Sequence, residues 1–219
     1  MLTFTVPESL RRFIRSHQRI AYAILFKASA EAIKKLAADG RHIGGDLPGF
    51  FGVLHTWGRT LEYHPHIHYV AAGGALSSND RTWHPSRLDF YLPVKALSKV
   101  FRAKFRDEMR AAGLIHEISP RVWQTEWNVN CQAVGESSAS LKYLSPYVFK
   151  VAIANSRIVK VENRTVTFRY KKSHSNRWRS LTLHVMEFIR RFLQSRSSGI
   201  ANRIHESQIL WLHERQLQS

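Results

Sequence analysis

The opening residues LTFTVP alternate apolar and polar positions until Pro7 ends the run, which predicts a short strand. Between Pro7 and Asp39 the rhythm changes. Leu10, Phe13, Ile14, Ile20, Ala23, Ile24, Ala28 and Ile33 fall near i, i+3 and i+4, the spacing of one buried helical face. Gly40, Gly44, Gly45 and Pro48 interrupt it as a loop. FFGVLHTW (50–57), rich in aromatic and branched residues, predicts a strand, Gly58 to Glu62 a turn, and HPHIHYVAAG the returning strand of a hairpin, closed by Gly73 and Gly74. SSNDRTWHPSR (77–87) reads as loop, and Pro93 to Ala112 as an amphipathic basic helix stopped by Gly113. RVWQTEWNVNCQAV (121–134) predicts another strand, and GESSAS a cap leading into a helix over 138–152. RIVKVEN and TVTFRYKK predict a hairpin turning at Asn163 and Arg164, and LTLHVMEFIRRFL (181–193) a closing helix. Strands and helices mix without regular β-α-β alternation, which predicts an α+β fold, an antiparallel sheet with helices packed on it.

Composition narrows the partners more than the fold. With 219 residues, 44% of them hydrophobic and 22% charged, the chain can bury a sizeable core. Lys and Arg outnumber Asp and Glu 33 to 16, a formal charge of +17 that calls for a polyanionic partner. The single cysteine, Cys131, excludes an intramolecular disulfide and any cysteine-built zinc site, and is read as a small buried hydrophobe. The most apolar early stretch, IAYAILFKASAEAI, is interrupted by Lys27 and Glu31 and is read as a helix of a globular domain, with no export signal or membrane span.

Residues 62–69, EYHPHIHY, carry histidines at 64, 66 and 68. Side chains alternate faces along a strand, so His66 and His68 point the same way and Ile67 the other. Two imidazoles so placed can converge on a divalent ion if a neighbouring strand supplies a third ligand. His55, which a short hairpin brings beside the pair, is favoured over His64 and Glu62. The alternative is a hydrogen-bonded histidine strip without a metal. Later in the chain, Tyr143 and Tyr147 lie four residues apart and share one face of the predicted helix, with Lys142 and Lys150 nearby and Pro146 between them as a source of a kink.

Together, VLHTWGRTLEYHPHIHYVAAGGALS and LKYLSPYVFKVAIANSRI resemble the two-tyrosine HUH (His-hydrophobic-His) transposases of the insertion sequence ninety-one type. The resemblance runs from about Leu2 to Leu193 and includes VTFRYK and EFIRRFL. It implies an HUH endonuclease-like fold with a ferredoxin-like palm, and a catalytic domain over residues 1–194. It also implies rolling-circle-like transposition on single-stranded DNA in the bacterial cytoplasm, at the nucleoid. His66 and His68, with His55 as third ligand, would hold Mg2+ or Mn2+. Tyr143 and Tyr147 would be the nucleophiles, one attacking to give a 5′ phosphotyrosine and the other permitting a second cleavage and strand transfer.

Two departures accompany the resemblance. Met1 stands almost on the first strand, where such transposases usually carry a cysteine-rich zinc-binding region beforehand, and the tail 195–219 does not continue the family pattern. A truncated or frame-shifted copy is the expectation. For DNA contacts, NRTVTFRYKKSHSNRWRS (163–180) holds six Lys/Arg and no acid, with Phe168, Tyr170 and Trp178 interleaved. Phe168 is read as core. Arg169, Lys171, Lys172, Arg177 and Arg179 are assigned to the DNA backbone, together with Lys142, Lys150 and Arg157. Arg102, Lys104 and Arg106 on the basic helix are weighed as contacts but read as ordinary surface. The competing readings are a non-enzymatic DNA-binding remnant and a metal-dependent hydrolase of the amidohydrolase type, the latter disfavoured because 219 residues in this element order do not supply its barrel.

Overall fold

The computed structural model describes residues 1–133, 152–172 and 175–196. Among the described residues, two antiparallel sheets and four α-helices make up the fold, in agreement with the α+β expectation. In the larger sheet the strand order is β2 (Leu47–Trp57), β3 (Tyr63–Leu76), β1 (Leu2–Thr5) and β5 (Asn128–Cys131), with β4 (Trp83–Pro85) paired to the far end of β3. The smaller sheet runs β6 (Ile158–Glu162), β7 (Thr165–Lys171) and β8 (Trp178–His184).

One face of the large sheet is apolar and the other polar, as a half-buried antiparallel sheet requires. Leu2 and Phe4 of β1, Leu54 of β2, Ile67 and Tyr69 of β3 and Val129 of β5 are buried against helices α2 (Gln18–Ala37) and α3 (Val94–Ala111). Leu97, Phe101, Phe105 and Met109 form the buried stripe of α3 at four-residue spacing. Ion pairs from Lys27 to Glu108 at 2.7 Å and from Lys104 to Glu31 at 2.9 Å run between α2 and α3 along their exposed edges. Tyr69 reaches from β3 into the helical layer, its hydroxyl 2.8 Å from Ser29 Oγ. Opposite Tyr69 on β2 stands Gly52, where a Cβ would overlap the Tyr69 ring.

The other face carries Thr3 and Thr5 of β1, His55 of β2, His66 and His68 of β3, and Asn128 and Asn130 of β5, as the register dictates. A second core closes beside it. Leu61, from the β2–β3 turn, is 1% exposed and packs with Ala152, Ile153 and Phe168 under Phe188 and Phe192 of α4 (Val185–Arg196). The tip of the histidine hairpin is thereby plugged into the small sheet.

Several local expectations are corrected. The first predicted helix is two: α1 (Arg11–Ser16) breaks at His17 (φ −121°, ψ 40°) before α2 begins. The segment 77–87 contains β4. Of the described residues 121–133 only Asn128–Cys131 is strand, because Pro120, at the first position of a 3-10 turn, commits Pro120–Trp123 to helical geometry. Residues 181–184 are not helix but the end of β8, where Leu181 and Leu183 alternate inward. The helix starts only at Val185, whose amide donates to the Arg164 carbonyl at 2.8 Å. The β6–β7 turn does fall at Asn163 and Arg164, both left-handed (φ 45° and 57°), the backbone of a tight hairpin turn. Cys131 is only partly buried. The predicted helix 138–152, apart from Ala152, and the tail from Ser197 lie outside the described residues.

Candidate metal centre

The β2–β3 hairpin builds the site. Direct pairing sets His55 opposite His66 and Val53 opposite His68, so His55 lies across from one histidine and diagonal to the other. The ring centroids are 5.5 Å apart for His55 and His66, 4.8 Å for His55 and His68, and 4.8 Å for His66 and His68. One nitrogen from each ring lies within 4.8 Å of the others, close enough to hold a metal ion. Side-chain rotations of about 1 Å would bring them to the roughly 3 Å spacing that nitrogen ligands at about 2.1 Å from one cation require. Among the described residues this is the group of histidine, cysteine and acidic side chains with that property.

The second layer of contacts orients the rings. His66 Nδ1 lies 2.6 Å from the His64 carbonyl oxygen, which can only accept, so Nδ1 carries the proton and Nε2 keeps its lone pair. His68 Nδ1 lies 3.1 Å from Thr3 Oγ1, across the β1–β3 ladder. In the tautomer that leaves Nε2 free, Nδ1 donates to that hydroxyl. His55 is 3% exposed and stacks on Trp57, centroids 4.7 Å apart. Burial, then the neighbouring His68, holds the His66 imidazole well below its usual pKa, so it is neutral and ligand-competent at pH 7. Burial and Arg11 also lower His64. These observations fit a divalent cation held by three imidazole nitrogens.

Pro65, in the middle of a central strand, is tolerated because the ladder is broken there. The β2–β3 register shifts between His55 and Trp57, and β1 pairing stops at His66, so no partner misses the proline N–H. That shift sends His64 aside, its ring 5.1 Å from His66 but outside the triad. Glu62 is likewise diverted, its carboxylate taking the Thr60 amide at 3.0 Å and the Thr60 hydroxyl. A Cβ at Gly58 would displace that carboxylate from its present position.

A cavity of about 420 Å³ opens over the histidines, lined also by Trp57, Arg59, Tyr170, Arg157 and Lys172. The sequence-assigned cations divide between two surfaces. Arg157 and Lys172 line the cavity. Arg179 stands opposite Tyr170 on the cavity-facing side of the small sheet, exposed. Arg169 and Lys171 point to the reverse side, each 5.0 Å from the Trp178 ring. Arg177 is exposed in the β7–β8 connection. On α3, Lys104 is paired to Glu31 and Arg102 donates to the Thr125 carbonyl at 2.8 Å, while Arg106 is exposed. Tyr143, Tyr147, Lys142 and Lys150 lie outside the described residues. Thr3, Arg59 and Tyr170, which the sequence reading did not assign, join the site through tertiary pairing.

An antiparallel sheet thus presents three histidines close enough to hold a metal ion beneath a cavity lined by arginine and lysine. The chain belongs to the transposase family described as "Putative transposase", which it matches over residues 49–199. It is 34% identical to the "Putative transposase y4qJ" of Sinorhizobium fredii, over 88% of this chain and 53% of that protein. It is also 24% identical to the transposase for insertion sequence element IS801 of Pseudomonas savastanoi pv. phaseolicola, over 88% of this chain and 49% of that one. The chain thus spans about half the length of the curated relatives it matches. No solved structure matches it. No helix among the described residues is long and apolar enough to cross a membrane.

Proposed function

We propose that this chain forms the nicking and joining core, over residues 1–194, of a two-tyrosine HUH transposase that acts on single-stranded DNA ends. The single observation carrying the reading is the register that sets His55 against His66 and beside His68. His55, His66 and His68 would hold Mg2+ or Mn2+, which when bound would polarise a phosphodiester and offset charge gathering on its oxygens. Three neutral ligands leave the cation's charge uncompensated by the protein, whereas carboxylates would cancel part of it. Trp57, stacked on His55, and the carbonyl of His64 keep the rings from swinging away.

Tyr143 or Tyr147 supplies the nucleophile. Its phenol loses a proton, its oxygen bonds to phosphorus, and the P–O bond to the 3′ oxygen breaks, that oxygen taking up a proton to leave a 3′ hydroxyl. The DNA is kept as a 5′ phosphotyrosine, so the cut end stays attached and its bond energy is retained for joining. A second tyrosine allows a second exchange without hydrolysis. Family membership and the transposase names of both relatives support this reading. Arg157, Lys172 and Arg179 neutralise the DNA backbone on the cavity side, Arg169 and Lys171 on the reverse side and Arg177 from the exposed β7–β8 connection, with Lys142 and Lys150 assigned to the same strand.

The test is a denaturing-gel assay for covalent protein–DNA adduct on single-stranded oligonucleotides with Mn2+. The parent is expected to form the adduct, the pair Tyr143→Phe and Tyr147→Phe to form none, and His66→Ala to form little. An adduct that persists in the double phenylalanine variant removes both tyrosines from the mechanism.

A further inference from the structure

Arg59, Arg157 and Lys172 line one cavity with the histidines although they come from three places, the β2–β3 turn, the approach to β6 and the residue after β7. The backbone knits them together. Arg59 Nη1 donates to the Lys171 carbonyl at 2.9 Å, Arg157 Nε to the Arg169 carbonyl at 2.7 Å, and Arg157 Nη2 to the Arg59 carbonyl at 3.1 Å. Carbonyl dipoles satisfy the donors but do not cancel the charge. Among the described residues none of the three makes an ion pair, whereas Arg190 and Arg191, on the neighbouring helix, both pair with Glu187. Burial, and then the proximity of Arg59, lowers the Arg157 pKa. The one carboxylate in the lining, Glu62, is turned onto Thr60. A fold that gathers three uncompensated cations around a concave surface is arranged for an anion.

The histidine pole already accounts for one phosphodiester, so the cationic pole has room for a different one. Tyr170 lies in the same lining, next to Lys171 on the chain and facing the cavity. A phenol there offers a flat wall for a base or sugar, and the cavity's volume falls within the roughly 300–1,000 Å³ span typical of binding clefts. Resting on the proposed function above, we propose that Arg59, Arg157 and Lys172 form a second anion subsite. It holds the phosphodiester flanking the one at the histidines, so that the cavity takes a nucleotide step of single-stranded DNA by two consecutive phosphates. The subsite fixes which phosphodiester of a strand reaches the metal, because a strand gripped at one phosphate can slide only by whole nucleotides.

The experiment is equilibrium binding of a short single-stranded oligodeoxynucleotide across a salt series without metal, on the parent, Lys172→Gln, and Arg59→Gln combined with Lys172→Gln. Lys172 makes no side-chain hydrogen bond or ion pair among the described residues, so its replacement leaves the fold intact even if loss of Arg59 loosens the turn. The slope of log affinity against log salt is expected to shrink by about 0.7 for Lys172→Gln and by about 1.4 for the pair. Lys34→Gln with Lys35→Gln, an equal charge loss at the end of α2, is expected to leave the slope near the parent value. Unchanged slopes in the cavity variants, or an equal drop in the α2 control, overturn the subsite. Failure of the metal reading is separable, since it appears as Mn2+ binding indifferent to His66→Ala while the metal-free slope difference stands.

Discussion

Thr3→Val isolates the outer contact of His68. Thr3 stands directly opposite His68 in the β1–β3 ladder, with Oγ1 3.1 Å from Nδ1. Valine keeps the volume and the β-branch that suits the strand and removes only the oxygen. The fold should lose about 1 kcal/mol or less, since one net hydrogen bond at a half-buried position is at stake. The metal should lose more. Without the Thr3 hydroxyl the ring loses one of the contacts that orient it, and such outer contacts change metal affinity by about ten- to a hundredfold, roughly 1.4 to 2.7 kcal/mol.

Thr5→Val supplies the internal control. Thr5 is paired with His66 on the same strand and face, but His66 Nδ1 is held instead by the His64 carbonyl. Calorimetric titration with Mn2+, alongside thermal unfolding of each variant, should therefore show weakened metal binding for Thr3→Val and near-parent binding for Thr5→Val. Equal affinities in the two variants would refute the claim that Thr3 sets the His68 tautomer.

Two other outcomes follow from the packing around the hairpin. Leu61, 1% exposed and left-handed at φ 63°, is expected to cost about 2 to 5 kcal/mol on Leu61→Ala in urea unfolding, because the plug between turn and small sheet is lost; a cost under 1 kcal/mol would contradict that role. Hydrogen bonds from Arg190 and then Arg191 depress the Glu187 pKa from 4.5 to about 2, so its contribution is complete above pH 4.5 and is lost as pH falls toward 2. With the carboxylate one-third exposed, that contribution is about 1 kcal/mol at most, and Glu187→Gln should flatten the acid limb of the unfolding midpoint against pH, an effect absent if the ion pairs add nothing.

The histidine hairpin is legible in the sequence because everything it needs is local. Alternation fixes the faces of His66 and His68, and a five-residue connection (58–62) leaves little choice about which β2 residues can meet them. The apolar face of α3 and Phe168 are legible for the same reason, whereas in α2 Ile20 and Ala23, which fit the helical spacing, are exposed and Ala21, Tyr22 and Leu25 are buried instead. Thr3 is not, since its hydroxyl matters only once β1 inserts beside β3, a pairing 65 residues distant that no local pattern specifies. Residues 181–184 mislead because LTLHVMEFIRRFL has apolar positions satisfying both a period of 2 and one near 3.6, and the decision falls to the partner strand β7. The split of the basic segment between two surfaces follows from strand alternation, but only after β7 and β8 have their register. Arg59 carried a faint signal, a lone cation in the turn between two histidine-bearing strands.

The most direct measurement is the number and affinity of Mn2+ ions bound per chain by the parent and by His55→Ala, His66→Ala and His68→Ala, followed by electron paramagnetic resonance. One ion per parent chain is expected, with each single alanine weakening it at least tenfold while the fold persists by circular dichroism. Alanine variants that bind manganese as the parent does would contradict the central claim, that β2 and β3 meet in order to hold a cation.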